Sequence, residues 1–302
     1  MRLSMTHDDV PENSTAYTAV LGIAQDGGFP QVGCQGACCR PAVTDPSRRR
    51  QVACLAVVDS RTDSRWLIDC TPDFSAQWAL IGEITGKQEK STPTGLLLTH
   101  AHIGHYTGLI NFGREVLAAD NVPTYVMPRM AEFLQSNEPW SSLVRDGNLA
   151  LQIMSDGTSI DLGNGIEVTP FGVPHRGEFS ETVGFEIAGV AQRVLYVPDA
   201  DRWDGWETAI EKRIANVDVA YLDGTFFSAD ELPGRDMSQV AHPTILESMN
   251  RFATLPETER AKIRFLHFNH TNPAIDPESE AAKRIDDAGF GIAMEGECVG
   301  IS

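Results

Sequence analysis

An α/β chain, with two mixed sheets packed face to face and helices on both outer faces (an αββα sandwich), is predicted by three observations. Strand-like runs come in groups, helical stretches follow them, and the second half repeats the order of the first. The 302 residues can bury a large core. A composition of 42% hydrophobic and 22% charged residues is that of an ordinary globular protein. No low-complexity or Pro/Gly-rich stretch splits the chain. One domain over residues 17–302, with weak internal duplication, is therefore expected behind a flexible tail at 1–16.

The elements follow in order. Strands are predicted at 17–24, 52–59 and 65–69, where β-branched and apolar residues dominate. An irregular loop at 25–49 separates the first two, and a loop that long inside a domain needs a reason, which an ion would supply. A helix is predicted at 72–84, a buried strand at 95–98, a helix at 107–119, a strand at 124–127 and a helix from Arg129. The second half reads as strands at 150–154, 166–173, 182–187, 194–197 and 217–222, with a helix at 203–214 before the last of them. A helix near 243–252, a strand at 263–268, a helix at 277–288 and a strand near 291–293 complete the pattern.

The formal net charge of −18 and a pI near 4.7 repel phosphate backbones. A general nucleic-acid binder is excluded on that ground, and the lack of a basic arm disfavours tRNA processing. No apolar run of about 18 residues predicts a membrane helix. The polar, acidic first residues lack the basic-then-apolar pattern of a secretion signal, so a cytoplasmic location is expected. The expected partner is a small anionic molecule held by a local positive site such as a metal. A homodimer is compatible with the sequence.

Of six cysteines, Cys34, Cys38 and Cys39 are clustered, which in a reducing cytosol suggests metal binding rather than disulfides. Cys54, Cys70 and Cys298 sit in apolar runs and are expected as buried small hydrophobes. Five of the eight histidines share one context. His100, His102 and His105 follow the strand at 95–98, His175 follows that at 166–173, and His267 lies near the end of that at 263–268. Asp199 follows the strand at 194–197. Side chains at such strand ends can converge on one rim. Residues i and i+2 of an extended segment point the same way, so His100 and His102 can grip one ion. His105, at a helix start, can face a second, and Asp199 could bridge the two through its oxygens. Imidazole favours zinc and also suits iron. The rival reading, unrelated polar loop residues, fits a lone His-x-His but not six ligand-type residues at strand ends.

The run Thr99 to His105, with Gly108-Leu109 after it and Leu67-Ile68-Asp69 before it, resembles the metal motif of the metallo-β-lactamase superfamily. The resemblance covers nearly the whole chain after residue 16. It implies the metallo-β-lactamase fold, a first metal on His100, His102 and His175, a second on His105 and His267, and Asp199 between them. One departure stands out. The family carries Asp immediately before its third His, and here Gly104 occupies that place. A second metal then loses a carboxylate, for which Asp73 is the candidate replacement. The rival place for Asp73 is the first turn of its helix, where negative charge is stabilised.

Three further stretches resemble the pyrroloquinoline quinone biosynthesis protein B (PqqB) branch: Gly27-Gly28-Phe29-Pro30-Gln31, Asp223-Gly224-Thr225-Phe226 and His267-Phe268-Asn269-His270-Thr271-Asn272-Pro273. The cysteine cluster also resembles that of the PhnP-type phosphodiesterases. That likeness implies a structural zinc on Cys34, Cys38, Cys39 and His270, which would pin the loop at 25–49. Consecutive Cys38 and Cys39 do not easily place both sulfurs on one ion, so one of them is the questionable ligand. His242, shortly after Asp223-Gly224-Thr225-Phe226, resembles a proton-donating histidine of the family's tRNA-processing branch, and an imidazole suits that task near neutral pH. Its rival reading is a surface residue beside Pro243. No role is assigned to His7.

The resemblance implies a metal-dependent hydrolase acting on a small phosphodiester, cyclic phosphate or ester by metal-activated hydroxide, with His242 and Asp199 as its catalytic pair. Arg176, beside His175, is a candidate for steering an anionic group. One or two catalytic zinc ions are expected, with iron or manganese as alternatives, beside one structural zinc. The alternative function is an iron-dependent oxygenase in pyrroloquinoline quinone biosynthesis, of the PqqB type. A non-enzymatic metal-binding module is the third reading.

Overall fold

The strand runs pair into two seven-stranded sheets. The first contains β1 (Ala16–Gly22), β2 (Cys54–Asp59), β3 (Ser64–Ile68), β4 (Gly95–Leu97), β5 (Val122–Val126), β6 (Leu149–Ile153) and the C-terminal β14 (Cys298–Gly300). The second contains β7 (Ile160–Gly163), β8 (Ile166–Gly172), β9 (Val183–Ala188), β10 (Arg193–Val197), β11 (Val219–Asp223), β12 (Ile263–Leu266) and β13 (Gly291–Ile292). A computed structural model describes residues 14–87, 92–206, 208–232, 234, 240 and 242–302. Most of the expected tail, including His7, lies outside the described residues, and Ala16 already belongs to β1.

Both sheets are mixed, as expected. β1 pairs antiparallel with β14 and β2, and β2 with β3, whereas β3 to β6 run parallel. β10 to β13 run parallel, and β7 to β10 antiparallel. The first sheet is covered on both sides, so its central strands are apolar at almost every position. Alternate residues serve opposite faces. Val20, Leu55, Val57, Ile68 and Leu97 face the second sheet. Leu21, Ala56, Val58, Leu67 and Leu96 face an outer layer that includes Phe74 and Ile81 of α2 (Phe74–Thr85) and Met130 and Leu134 of α4 (Pro128–Ser136). On the second sheet's side, Ile210 and Ile214 of α6 (Ile210–Ala215), Phe252 of α7 (Ile245–Phe252) and Ile285 of α9 (Glu280–Asp287) join the core.

Two helices differ from expectation. The stretch 107–119 follows α3 (Ile103–Tyr106), runs as a 3-10 helix over Thr107–Phe112, and leaves the helix at Gly113. Gly108 is the cause. Its N–H donates to Cys70 O at 2.9 Å, and a Cβ there would stand 2.1 Å from Thr71 O, so the segment is pressed against the chain after β3. The helix expected at 203–214 is reduced to α6, because Gly205 adopts φ +81°, outside the helical region. Sequence patterning also passed over β7, β14, α1 (Arg40–Thr44) and α5 (Trp140–Arg145). These are too short to express a period.

Candidate metal centre

Five of the candidate ligands leave strand ends on the same rim, and His105 joins them from α3. His100 and His102 follow β4, His175 follows β8, Asp199 follows β10, and His267 follows β12. His102 keeps extended backbone (φ −93°, ψ 149°), so the i, i+2 rule applies. His100 Nε2 and His102 Nδ1 lie 2.9 Å apart, and His175 Nε2 lies 3.2 Å from the same Nδ1. Asp199 Oδ2 sits 3.2 Å from His100 Nε2, 3.2 Å from His175 Nε2 and 3.7 Å from His102 Nδ1. The four donor atoms lie within 4.8 Å of one another, in reach of a single ion.

A second convergence lies beside the first. His105 Nε2, His267 Nε2 and a carboxylate oxygen of Asp26 lie within 4.8 Å of one another, as do ligand atoms of Asp199, Asp223 and His267. Asp199 thus stands between the two groups.

Hydrogen bonds decide which ring nitrogen each histidine offers. The Thr99 hydroxyl donates to Asp69, so it accepts from His100 Nδ1 at 2.9 Å. His105 Nδ1 donates to Asp69 Oδ2 at 2.7 Å, and His175 Nδ1 to Asp201 Oδ1 at 2.9 Å. The Thr225 hydroxyl donates to Asp223 and accepts from His267 Nδ1 at 3.0 Å. Each assignment, inferred from the network, leaves Nε2 as a bare lone pair facing the centre. Such partners orient ligating imidazoles and raise their basicity. Asp69 and His267 hold φ of 71° and 66°, a conformation rare for non-glycine residues and characteristic of strained functional sites.

The charges fit a cation. Burial and the neighbouring His105 push His100 well below its ordinary value, and burial lowers His267. For His105, burial is outweighed by Asp69, Asp26 and Asp199, which lift it to about 9, so these acids favour positive charge here, supplied by a proton on Nε2 until a cation takes its place. His242 also rises to about 9, because Asp223 and Asp199 overcome its burial. Burial would raise the Asp199 carboxyl, but His242 and bonds from His100, His102 and His175 hold it well below the usual carboxylate range. Most telling, Asp26 Oδ1, His105 Nε2, Asp199 Oδ1 and His267 Nε2 are buried atoms without a hydrogen-bond partner. Buried polar atoms are seldom left unpaired, and a group of them aimed at one spot fits the donor set of a metal ion.

His242 is not the surface residue of the rival reading. It is buried, with Nδ1 2.9 Å from Asp223 Oδ2 and 3.3 Å from Asp199 Oδ1. Asp73 is a correction. Its carboxylate accepts from Val52 N at 2.9 Å, at the N-terminus of α2, and it belongs to neither cluster. Asp26, Asp201 and Asp223 took no part in the sequence reading of the ligand set. For Asp223 a signal existed, since it closes an apolar run as Asp69 does.

The cysteines converge as well. Cys34 Sγ lies 3.6 Å from Cys38 Sγ, and the sulfurs of Cys38 and Cys39 each lie 3.5 Å from His270 Nδ1. All four donor atoms fall within 4.8 Å of one another. Consecutive cysteines in extended chain would point to opposite sides. Cys39 instead has helical backbone at the start of α1, which rotates neighbouring side chains by about 100° rather than 180° and lets both sulfurs face His270. The backbone at Gly36 holds the Cys34 thiol below its ordinary value, whereas burial pushes Cys39 up to about 12. Cys54 and Cys70 are buried as expected, while Cys298 is only half-buried.

A model of the β-lactamase superfamily domain matches residues 64–268, more than half of the chain. The chain belongs to that superfamily. Among curated proteins it is similar to coenzyme PQQ synthesis protein B of Xanthomonas oryzae pv. oryzae, at 27% identity over 92% of this chain and 97% of that protein. The protein of the same name from Methylorubrum extorquens is 24% identical over 93% and 98%. In fold it matches Zn(2+)-bound PqqB from Methylobacterium extorquens (TM-score 0.78, 22% identity, 94% and 99% of the two chains). It also matches a diphosphatase of the PhnP family (TM-score 0.67, 22% identity, 94% and 96%). The superfamily and the two-sheet fold are thus as the sequence implied. Asp26 and the cysteine cluster lie outside the segment that the superfamily model matches. Among the described residues, no helix is long and apolar enough to cross a membrane.

Proposed function

We propose that this chain is a metal-dependent hydrolase of small anionic esters, with phosphodiesters and cyclic phosphates the leading class. The observation that carries the reading is the set of buried, unpartnered atoms on His105, Asp199 and His267 beside the His100, His102 and His175 cluster. His100, His102, His175 and Asp199 would hold one ion, and His105 and His267 would serve a second, with zinc the first choice for such ligands. The ion, when bound, acidifies water and offsets charge on the substrate. Cys34, Cys38, Cys39 and His270 would hold a structural zinc that pins the loop after β1.

The chain's own groups do the rest. Thr99, Asp69, Asp201 and Thr225 hold the imidazoles in one tautomer. His242, anchored through Nδ1 to Asp223, whose carboxylate favours the charged imidazole, can pass a proton to a leaving oxygen. Replacing His242 by Ala should lower kcat by about 100-fold or more while metal content stays at the wild-type level. The test is turnover by fully metal-loaded protein across phosphodiesters, 2′,3′-cyclic nucleotides, esters and lactones. No hydrolysis of any of them would sink the hydrolase reading.

A second reading is favoured by the resemblance to coenzyme PQQ synthesis protein B along nearly the full length of both chains. It makes this chain an iron-dependent oxygenase in the assembly of that quinone coenzyme, since a histidine-rich site suits iron as well. Oxygen uptake by iron-loaded protein with a tyrosine-derived substrate would support it, and its absence would count against it.

A further inference from the structure

Gly104 opens the space that Asp26 fills. A Cβ on Gly104 would lie 2.1 Å from Asp26 Oδ1 and 2.8 Å from Asp26 Cα, so a side chain at 104 and the observed Asp26 exclude each other. Asp26 reaches that space from the turn after β1, where Gly28 N–H donates to Gln25 O at 2.8 Å. The turn is anchored to the strand end that carries His267. Gln25 N–H donates to Phe268 O at 2.8 Å, and Phe268 N–H donates to Ile23 O at 2.8 Å. Asp26 Oδ1 is buried, has no hydrogen-bond partner, and lies 3.7 Å from the equally unpartnered His105 Nε2. The fully buried His267 Nε2, also unpartnered, closes the same triangle.

We propose that Asp26 supplies the carboxylate ligand of the second metal position, with His105, His267 and Asp199, in place of the acid missing at Gly104. The inference rests on the metal-binding reading above. The carboxylate has moved from the start of α3 to the turn after β1, and Gly104 is the residue that permits the move. Position 26 then gives the site an anionic oxygen donor, and a hard oxygen ligand at this position widens the choice to manganese or iron as well as zinc.

The test is metal content and affinity, read by elemental analysis and chelator competition on the full chain. Wild type should hold three zinc ions. Asp26→Ala and Asp26→Asn should each hold two and weaken the lost site by about 100-fold or more. Adding His105→Ala to Asp26→Ala should remove no further ion, because both act on one position. Asp26→Gly combined with Gly104→Asp returns the acid to α3 and should regain the third ion. Asp26 variants that keep three ions at wild-type affinity, while His105→Ala loses one, would overturn the proposal and leave the metal site intact. A lost ion that Gly104→Asp does not restore, together with a lowered melting temperature, would give Asp26 a folding role and also overturn it. A wild-type chain that takes up no ion at its histidines overturns the metal-binding reading itself.

Discussion

Asp69 is saturated on both carboxylate oxygens. It accepts from Thr99 N at 2.8 Å, from the Thr99 hydroxyl at 2.9 Å and from His105 Nδ1 at 2.7 Å, all without exposure to water. An amide cannot reproduce that pattern, because one of its two positions donates. Asp69→Asn should therefore weaken the ion nearest His105 by about 10- to 100-fold, leaving the ion on His100, His102 and His175 in place. Chelator competition on the variant reads this directly, and unchanged affinity for both ions would show that Asp69 does not orient His105. Asp69 was legible as an acid closing a buried apolar strand. Asp26 was not: it lies in the irregular loop after the first strand and meets its site only across 78 residues of chain from Gly104.

The strands bring the ligands to one rim, and the helices hold them there. α7 starts directly after His242 and Pro243 with a complete capping box. The Thr244 hydroxyl accepts from Glu247 N at 3.1 Å, while the Glu247 carboxylate accepts from Thr244 N at 2.8 Å. Thr244→Ala should cost about 1 kcal/mol, a fall in Tm of a few degrees, because an N-cap hydroxyl is lost at a buried helix start. Thermal melts check it, and an unchanged Tm would show the cap to be dispensable. The Thr-x-x-Glu signal was visible in the sequence beside His242. The shortening of the helix at 107–119 was not, since Gly108 is required only by the chain lying against it after β3.

Across the whole molecule, acid dominates: the net charge is −18, and not every carboxyl shielded from water belongs to the candidate metal centre. Glu295, in the turn before β14, is pushed up to about 7 by burial, more than Gln51 N–H and Arg50 lower it, with Asp73 adding to the rise. A carboxyl raised in the folded state makes stability fall as pH climbs from its unfolded value toward 7. The cost, fully present above pH 7, is on the order of 3 kcal/mol. Glu295→Gln should match wild type in Tm at pH 4 and exceed it by about 5 °C or more at pH 8. Melts that coincide at both pH values would refute the burial argument.

Local pattern sufficed for the αββα architecture and the strand-end histidines, and motif resemblance for the superfamily, because apolar strand runs and the His-x-His-x-x-His run are properties of short segments. It could not reveal what Gly104 makes room for, why Cys38 and Cys39 both face His270, or that Asp73 is tied to Val52. Each of those depends on segments that approach only after the sheets have packed, since sequence separation carries no information about distance once the chain has folded. The run from His100 to His105 resembles a metal motif, and the carboxylate proposed in place of its missing acid comes from the turn after β1.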